Sequence, residues 1–352
     1  MNKHNGITLA LDAMGGDNAP QAVVGGMVKA MRRHSGLSVR LYGDKTQLAT
    51  MIPQTLANRV EIIHCTHYIK NDDKASSAVR QGRESSMGLA IKAVKEGEAD
   101  AAISSGNTGA LMALALFTLR TMKGVDRPAI CTAFPTKKNF ACMLDLGANV
   151  DCTPSHLTQF ALMGEVFAIT LLNIAQPRIG LLNIGVEPMK GNDTIRQAAT
   201  MIENTPLKGK FMGFVEGDDI GKGDVDVIVT DGFTGNVALK VMEGTAKLMA
   251  HRMRMAYRRS WYSWLGYVFS IPALSFLRKS LDPRNYNGAV LLGLNGIVIK
   301  SHGSTDELGF ANAIHVAVEM IQHGFYERIA EEMQNMPATI THDEKLDNDS
   351  MA

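Results

Sequence analysis

One local arrangement recurs along most of the chain: a short strand-like apolar run, a polar loop carrying glycine, then a helical pattern. This alternation constrains the fold strongly, because a strand followed by a helix crosses over to a parallel neighbour. Candidate strands are "ITLAL", "SVRLYG", "VEIIHC", "DAAIS", "AICTAF", "ACMLDL", "RIGLLNIG", "FMGFV", "DVIVT" and "GIVIKS". Helical stretches fall at 21–33, 87–95, 109–120, 156–172 and 236–255. The expectation is an α/β fold on a mainly parallel sheet.

The loops are unusually alike. "DAMGGDNAP" follows the first strand, and "SSGNTGA", "NIGVEPMKGND", "TDGFTGN" and "SHGSTDE" follow four others. In a parallel sheet the carboxyl ends of the strands share one edge, where ligands bind. Glycine admits close backbone approach, and helix N-termini offer unpaired N–H groups to an anion. Five such loops favour a single composite site for an anionic group. Asp12, Asp17 and Asp231 would repel that anion, so they are expected to brace the loops by accepting backbone N–H bonds.

Composition narrows the function. With 352 residues, 45% hydrophobic and 20% charged, the chain has ample core material. A single large α/β domain is expected over 1–335, and the polar stretch 336–352 is expected to be disordered. A net charge of +1 marks no nucleic-acid partner. Cys65, Cys131, Cys142 and Cys152 have no metal-ligand spacing and read as reduced thiols of a cytoplasmic protein. The opening "MNKHNG" is no signal peptide. No GxGxxG follows a strand, HExxH and GxSxG are absent, and "GDDIGKGD" lacks the Ser or Thr of a P-loop. No cofactor and no metal are called for. His64 and His67 read as incidental. Twenty-one methionines fill irregular gaps or suit an acyl chain.

Residues 251–281, "HRMRMAYRRSWYSWLGYVFSIPALSFLRKSL", stand apart. Both tryptophans lie here, flanked by Arg252, Arg254, Arg258, Arg259, Arg278 and Lys279. The apolar part, 264–277, is too short to span a bilayer and contains Pro272. Arg258, Arg259, Trp261, Trp264, Leu265, Val268 and Phe269 suit a membrane surface, an acidic carrier protein or a dimer contact. A buried hairpin with solvated ends is the plainer alternative, and an external partner is favoured.

Taken together and in order, "LALDAMGGDNAP", "SSGNTGA", "LLNIGVEPMKGND", "TDGFTGNVALKVMEG" and "YNGAVLLGLNGIVIKSHGS" closely resemble the PlsX family, the acyl-[acyl carrier protein]:phosphate acyltransferases. The resemblance runs to about residue 330, with Val290 standing where many members carry Pro. It implies a three-layer αβα sandwich related to phosphotransacetylases and isocitrate dehydrogenases. It also implies a homodimer that moves a fatty acyl group from acyl carrier protein (ACP) to inorganic phosphate. The acyl phosphate would feed a membrane glycerol-3-phosphate acyltransferase in bacterial phospholipid synthesis, at the inner face of the cell membrane. A phosphotransacetylase-like enzyme using short acyl-CoA and a non-catalytic membrane scaffold are the competing readings.

Phosphate is already an anionic nucleophile, and a thiol leaves readily, so this chemistry needs no Ser or Cys nucleophile. It needs phosphate binding, alignment and donors for the developing oxyanion. Lys190 and Asn236 are the expected catalytic residues, and His302 is expected to bind phosphate or protonate the leaving thiolate. Asn236 also reads as an N-cap, and Ser304 as another. The remaining loop candidates for substrate or phosphate are Asp12, Gly15, Gly16, Asp17, Ser105, Asn107, Thr108, Asn192, Asp231, Gly232, Gly303 and Ser304.

Overall fold

Alternation along β1 (Ile7–Asp12) puts Leu9 and Leu11 into one apolar layer and Ala10 into the other. A strand buried on both faces belongs in the middle of a covered sheet. The computed structural model describes residues 6–70, 73, 82–280 and 282–334. The expected tail at 336–352 lies outside them. After β1 come α1 (Gln21–Arg33), β2 (Leu37–Gly43), α2 (Lys45–Ala49), β3 (Val60–His64), α3 (Ser86–Lys95), β4 (Ala101–Ser104) and α4 (Thr108–Leu119). A second series follows: β5 (Ala129–Pro135), β6 (Phe140–Leu144), α5 (Pro154–Leu171), β7 (Arg178–Leu182), α6 (Asp193–Glu203), β8 (Lys210–Val215) and β9 (Val227–Val229). The chain closes with α7 (Gly232–Tyr257), α8 (Trp261–Ser280), β10 (Ala289–Leu292), β11 (Ile297–Lys300), α9 (Glu307–Gln322) and α10 (Phe325–Gln334).

The strands form one sheet in the order β3-β2-β1-β4-β11-β10-β5-β6-β9-β7-β8. One face packs against α1, α5, α6, α9 and α10, the other against α3, α4 and part of α7. The result is three layers, αβα, on a mainly parallel sheet. β10 is an eleventh strand that the sequence pattern does not single out.

Polarity is where the structure departs from expectation. β3, β2, β1, β4 and β11 run parallel, and so do β6, β9, β7 and β8. Between the groups, β11–β10, β10–β5 and β5–β6 are all antiparallel. Three reversals leave the two groups pointing in opposite directions. A single shared edge for all the carboxyl ends is therefore wrong. The cause is local: residues 136–139 and 293–296 make hairpins instead of helical crossovers, and a hairpin reverses the chain. Sheet twist partly offsets the opposition. At about 20–25° per strand, the four steps from β11 to β9 rotate the second group by roughly 80–100°.

α9 returns the chain to the first group. Gly26 of α1 lets the two helices approach until a Cβ there would sit 2.8 Å from the Phe310 Cβ. β11, just before α9, pairs in parallel with β4.

The segment from α7 to α8 is a helical hairpin. The only buried residues of α7 are Gly232 and Gly235, while Trp261 is 74% and Phe269 83% exposed. Trp264, Leu265 and Val268 are exposed as well, which rules out the buried-hairpin alternative. Arg258 and Arg259 lie between the two helices. The side chains of Arg278 and Lys279 fall outside the described set. Among the described residues no helix is long and apolar enough to cross a membrane.

Candidate active site

Two buried aspartates organise the carboxyl ends of the two strand groups. Asp12 ends β1 and is 1% exposed. Its Oδ1 accepts the Met14 N–H at 3.2 Å and its Oδ2 the Ser104 hydroxyl at 2.6 Å. Burial raises its carboxyl above the usual range, and these hydrogen bonds oppose the shift. The neighbouring loops are joined to it. The Ser105 hydroxyl donates to the Gly15 carbonyl at 2.6 Å, and the Asp17 N–H donates to the Gly303 carbonyl at 2.8 Å. Gly15 has no room for a side chain, which would overlap Asp12 Oδ2. Gly16 has φ of 101°, and a Cβ there would stand 2.7 Å from Ser105 Oγ. The "MGGD" sequence is thus what allows the first loop to lie against the second.

His302 follows β11. Its Nδ1 accepts the Ser304 N–H at 3.2 Å, and its own N–H donates to Asn287 Oδ1 at 2.9 Å. An Nδ1 that accepts leaves the proton of the neutral ring on Nε2. Burial pulls the imidazole below its ordinary value; Glu243 opposes this, and Lys240, Lys300 and Lys247 add to it. Ser304 places its hydroxyl 3.0 Å from His302 Nδ1, so it supports the histidine.

In the second group, Asp145 follows β6 and is fully buried. Its Oδ1 accepts the N–H groups of Ile130 at 2.9 Å, Gly147 at 3.2 Å and Ala148 at 3.0 Å. Its Oδ2 accepts the Asn149 N–H at 2.7 Å and the Asn149 amide at 2.9 Å. α7 packs directly on this loop, because a side chain at Gly235 would overlap the Asp145 carbonyl. Asp231 caps α7, accepting the Thr234 N–H at 2.8 Å and its hydroxyl at 2.7 Å. The helix therefore starts at Gly232. Asn236 is not its cap but an exposed residue of the opening turns, beside Gly147.

Other loop candidates also serve helix ends. The side-chain oxygen of Asn107 accepts the Ala110 N–H at 2.9 Å, and Asn192 accepts the Ile195 N–H at 2.9 Å. Thr108 is exposed as the first residue of α4. Lys190 lies on the loop after β7, which Asn183 holds by donating to the Gly185 and Lys190 carbonyls, each at 3.1 Å. The lysine is exposed with its stem over Gly185, and Ile184 and Met189 of the same loop are exposed as well. An open depression of about 680 Å³ adjoins it, lined by Glu187, Pro188, Met189 and Arg196.

α7 connects the two groups. Asn236, Lys240, Glu243 and Lys247 recur at spacings of four, three and four, which stacks them along one helix face. Lys240 pairs with Glu243 at 3.0 Å. All three charged members lie near enough to His302 to bias its charge. The helix that begins on the Asp145 loop therefore runs along the His302 loop.

Known proteins share this architecture and sequence. Residues 7–328 match the family described as fatty acid synthesis protein. A phosphate acyltransferase of Rhodospirillum rubrum is 48% identical, over 96% of this chain and 98% of its own. One from Parvibaculum lavamentivorans is 49% identical, over 96% and 94%. The chain belongs to the PlsX phosphate acyltransferase family. It is an acyltransferase by that membership. Among solved structures, a phosphotransacetylase from Streptococcus pyogenes aligns over 91% of this chain and 95% of its own, at TM-score 0.58 and 18% identity. A branched-chain phosphotransacylase from Enterococcus faecalis aligns over 90% and 99%, at TM-score 0.55 and 14% identity. At such identities the likeness is one of fold.

Three residues that sequence reasoning passed over belong to the geometry of this family member. Asp145 was read only as part of a strand, although "ACMLDL" ends on an acid as "ITLALD" does. Lys240 was hidden in a helical pattern, and its i+4 relation to Asn236 is the signal that points to it. Lys300 closes the strand "GIVIK", where a charged last residue reads as an exit to solvent.

Proposed function

We propose that the chain transfers a long fatty acyl group from ACP to inorganic phosphate, releasing the carrier thiol and an acyl phosphate. The observation that carries this reading is how the polar groups of the cleft are committed. Lys240, Lys300 and Lys247 lie near enough to His302 to act on its charge, while the hydroxyls of Ser104 and Ser105 are engaged as donors within the loops. Burial pushes the thiols of Cys65 up to about 11 and Cys152 up to about 12. With cations beside His302 and both thiols held protonated by burial, the site suits direct attack by a bound anion.

In that reaction a phosphate oxygen forms a bond to the thioester carbonyl carbon, and the C–S bond breaks. Asn236, exposed at the start of α7, supplies an amide donor to the oxyanion. Lys190 offsets the negative charge, and the exposed Ile184 and Met189 beside it offer apolar surface to an acyl chain. Neutral His302, with its proton on Nε2, donates toward the sulfur as thiolate character develops. The acyl phosphate then passes to a membrane glycerol-3-phosphate acyltransferase for phospholipid synthesis.

The test is to mix purified protein, inorganic phosphate and long-chain acyl-ACP, and to assay acyl phosphate together with free carrier thiol. Both products should appear in equal amounts. Activity only with a short acyl-CoA would replace ACP as the donor, and a scaffold would yield neither product.

The proposal includes a homodimer held peripherally at the inner face of the cell membrane through the α7–α8 hairpin. Exposed Trp261, Trp264, Leu265, Val268 and Phe269, with Arg258 and Arg259 nearby, support an interfacial role. Changing Leu265, Val268 and Phe269 together to Ser should reduce co-sedimentation with liposomes and leave turnover on saturating acyl-ACP unchanged. Removing Arg252, Arg254, Arg258 and Arg259 should weaken binding to anionic vesicles by about 1 kcal/mol each at low salt. Unchanged sedimentation with a dissociated dimer would assign the hairpin to the subunit contact instead.

A further inference from the structure

Asp12, Ser104 and Lys300 form a row across three adjacent strands. Register places Leu11 beside Ile103, and Lys300 beside Ser104, so the three residues stand level at the ends of β1, β4 and β11. Alternation puts all three on the same sheet face, the face shared by Ala10, Ala102 and Val298. The row is polar where the position just before it on that face of each strand, Ala10, Ala102 or Val298, is apolar. Its acid is already occupied by Ser104 and Met14. Its lysine is not matched in the same way.

The Lys300 ammonium donates to its neighbour's carbonyl, that of Ser301, and lies 3.5 Å from the Ser105 carbonyl oxygen. Among the described residues no carboxylate comes within ion-pair distance of it. A desolvated ammonium held by neutral carbonyls is costly, and an apolar side chain of similar length would pack there more cheaply. The arrangement makes physical sense if an anion completes it. A Cβ at Gly303 would meet nothing closer than 3.8 Å, so the loop after β11 leaves open room beside Asp17 Oδ2 and the Ser105 carbonyl.

We infer that Lys300 is a catalytic residue whose ammonium receives the acceptor phosphate in the angle between the loops after β1, β4 and β11. The assignment of that phosphate as acyl acceptor rests on the reading given above; the binding itself does not. Lys300 holds the nucleophile, and Lys240, on the α7 face that also carries Asn236, lies near enough to bear on its charge.

The charge balance supports this role and gives a pH signature. Burial pulls the ammonium down to about 8; Asp12 and Asp17 oppose it, and Lys240 pushes the same way as burial. His302, two residues on, is itself held low and adds little positive charge near neutrality. Below about pH 8 the free protein carries the cation, so phosphate affinity should fall as pH rises through that value. Stability has the opposite sign. The folded value lies below that of an unfolded lysine, so between them the unfolded chain binds more protons, and stability rises with pH across that window. An apolar replacement should then keep or raise the melting temperature at pH 7 while weakening phosphate binding. A merely structural lysine would not separate the two.

The experiment is calorimetric titration of the full chain with inorganic phosphate, alongside the phosphate KM in the acyl-ACP assay. Lys300→Met should weaken phosphate binding about 10- to 100-fold, the usual worth of one charge-assisted hydrogen bond, with an unchanged or higher Tm. Lys300→Arg should retain binding and move the alkaline limb of the pH profile upward. Equal phosphate affinity in wild type and Lys300→Met overturns the inference, and so does a wild type that binds no phosphate. If Lys300→Met does not fold, an alkaline limb left in place by Lys300→Arg overturns it too. Phosphate binding that depends on Lys300 without formation of acyl phosphate would sustain the inference and sink the acyl-transfer reading. Acyl phosphate made with the same phosphate KM by both proteins would do the reverse.

Discussion

Lys190→Ala and Asn236→Ala are each expected to lower turnover about 10²- to 10³-fold while the protein keeps its fold. That is the usual loss when one oxyanion donor is removed. The reason is differential: the carbonyl oxygen gains charge only as phosphate attacks, so a donor aimed at it favours the transition state over the ground state. Neither side chain holds the fold together. Lys190 is exposed and makes no ion pair among the described residues, and Asn236 is exposed beyond the Asp231 cap. Thermal melts of both variants should therefore overlay that of the wild type. Single-turnover rates on the same preparations complete the test. Near-normal rates in both variants would remove these residues from the chemistry and leave His302 with the Lys300 row.

Asp145→Ala should have the opposite character, a large loss of stability. Its buried carboxylate accepts from four backbone N–H groups, those of Ile130, Gly147, Ala148 and Asn149, and from the Asn149 amide. Alanine would leave these donors without a partner, at about 1–3 kcal/mol for each that water cannot reach. A loss of at least about 3 kcal/mol is expected in urea unfolding, with α7 loosened because Gly232 and Gly235 seat on the same loop. Asp145→Asn, which keeps an accepting oxygen, should lose less. A urea midpoint equal to that of wild type would show that the 145–149 loop is held by other contacts.

Much of this was legible because it is local. Asp231 caps its helix within three residues, and Asp12 braces its own loop through Met14, as short-range Asp chemistry requires. The strand-loop-helix rhythm likewise needs no distant partner to be read. What escaped depends on partners far away in sequence. β10, four apolar residues between glycines, has neither alternation nor length to mark it, and pairing with β5 and β11 defines it. The opposed polarity of the strand groups follows from which neighbours those hairpins choose. Lys300 reads as solvent-facing until the loops after β1 and β4 and the first turns of α7 are placed around it. "TDGFTGN" offers two plausible helix starts, at Asp231 and at Asn236. The packing of Gly235 on Asp145 decides between them.

The late return of β11 has a consequence for how the protein is made. Asp12 and Ser104 are synthesised in the first third of the chain, but the strand that brings Lys300 between β4 and β10 comes after residue 296. A nascent chain emerging from the ribosome presents β4 as a bare edge for as long as translation of the second strand group lasts, an invitation to mispairing that chaperones must cover. Lys300 is missing from its row with Asp12 and Ser104 during that interval. The row of Asp12, Ser104 and Lys300 is complete only once β11 has paired with β4.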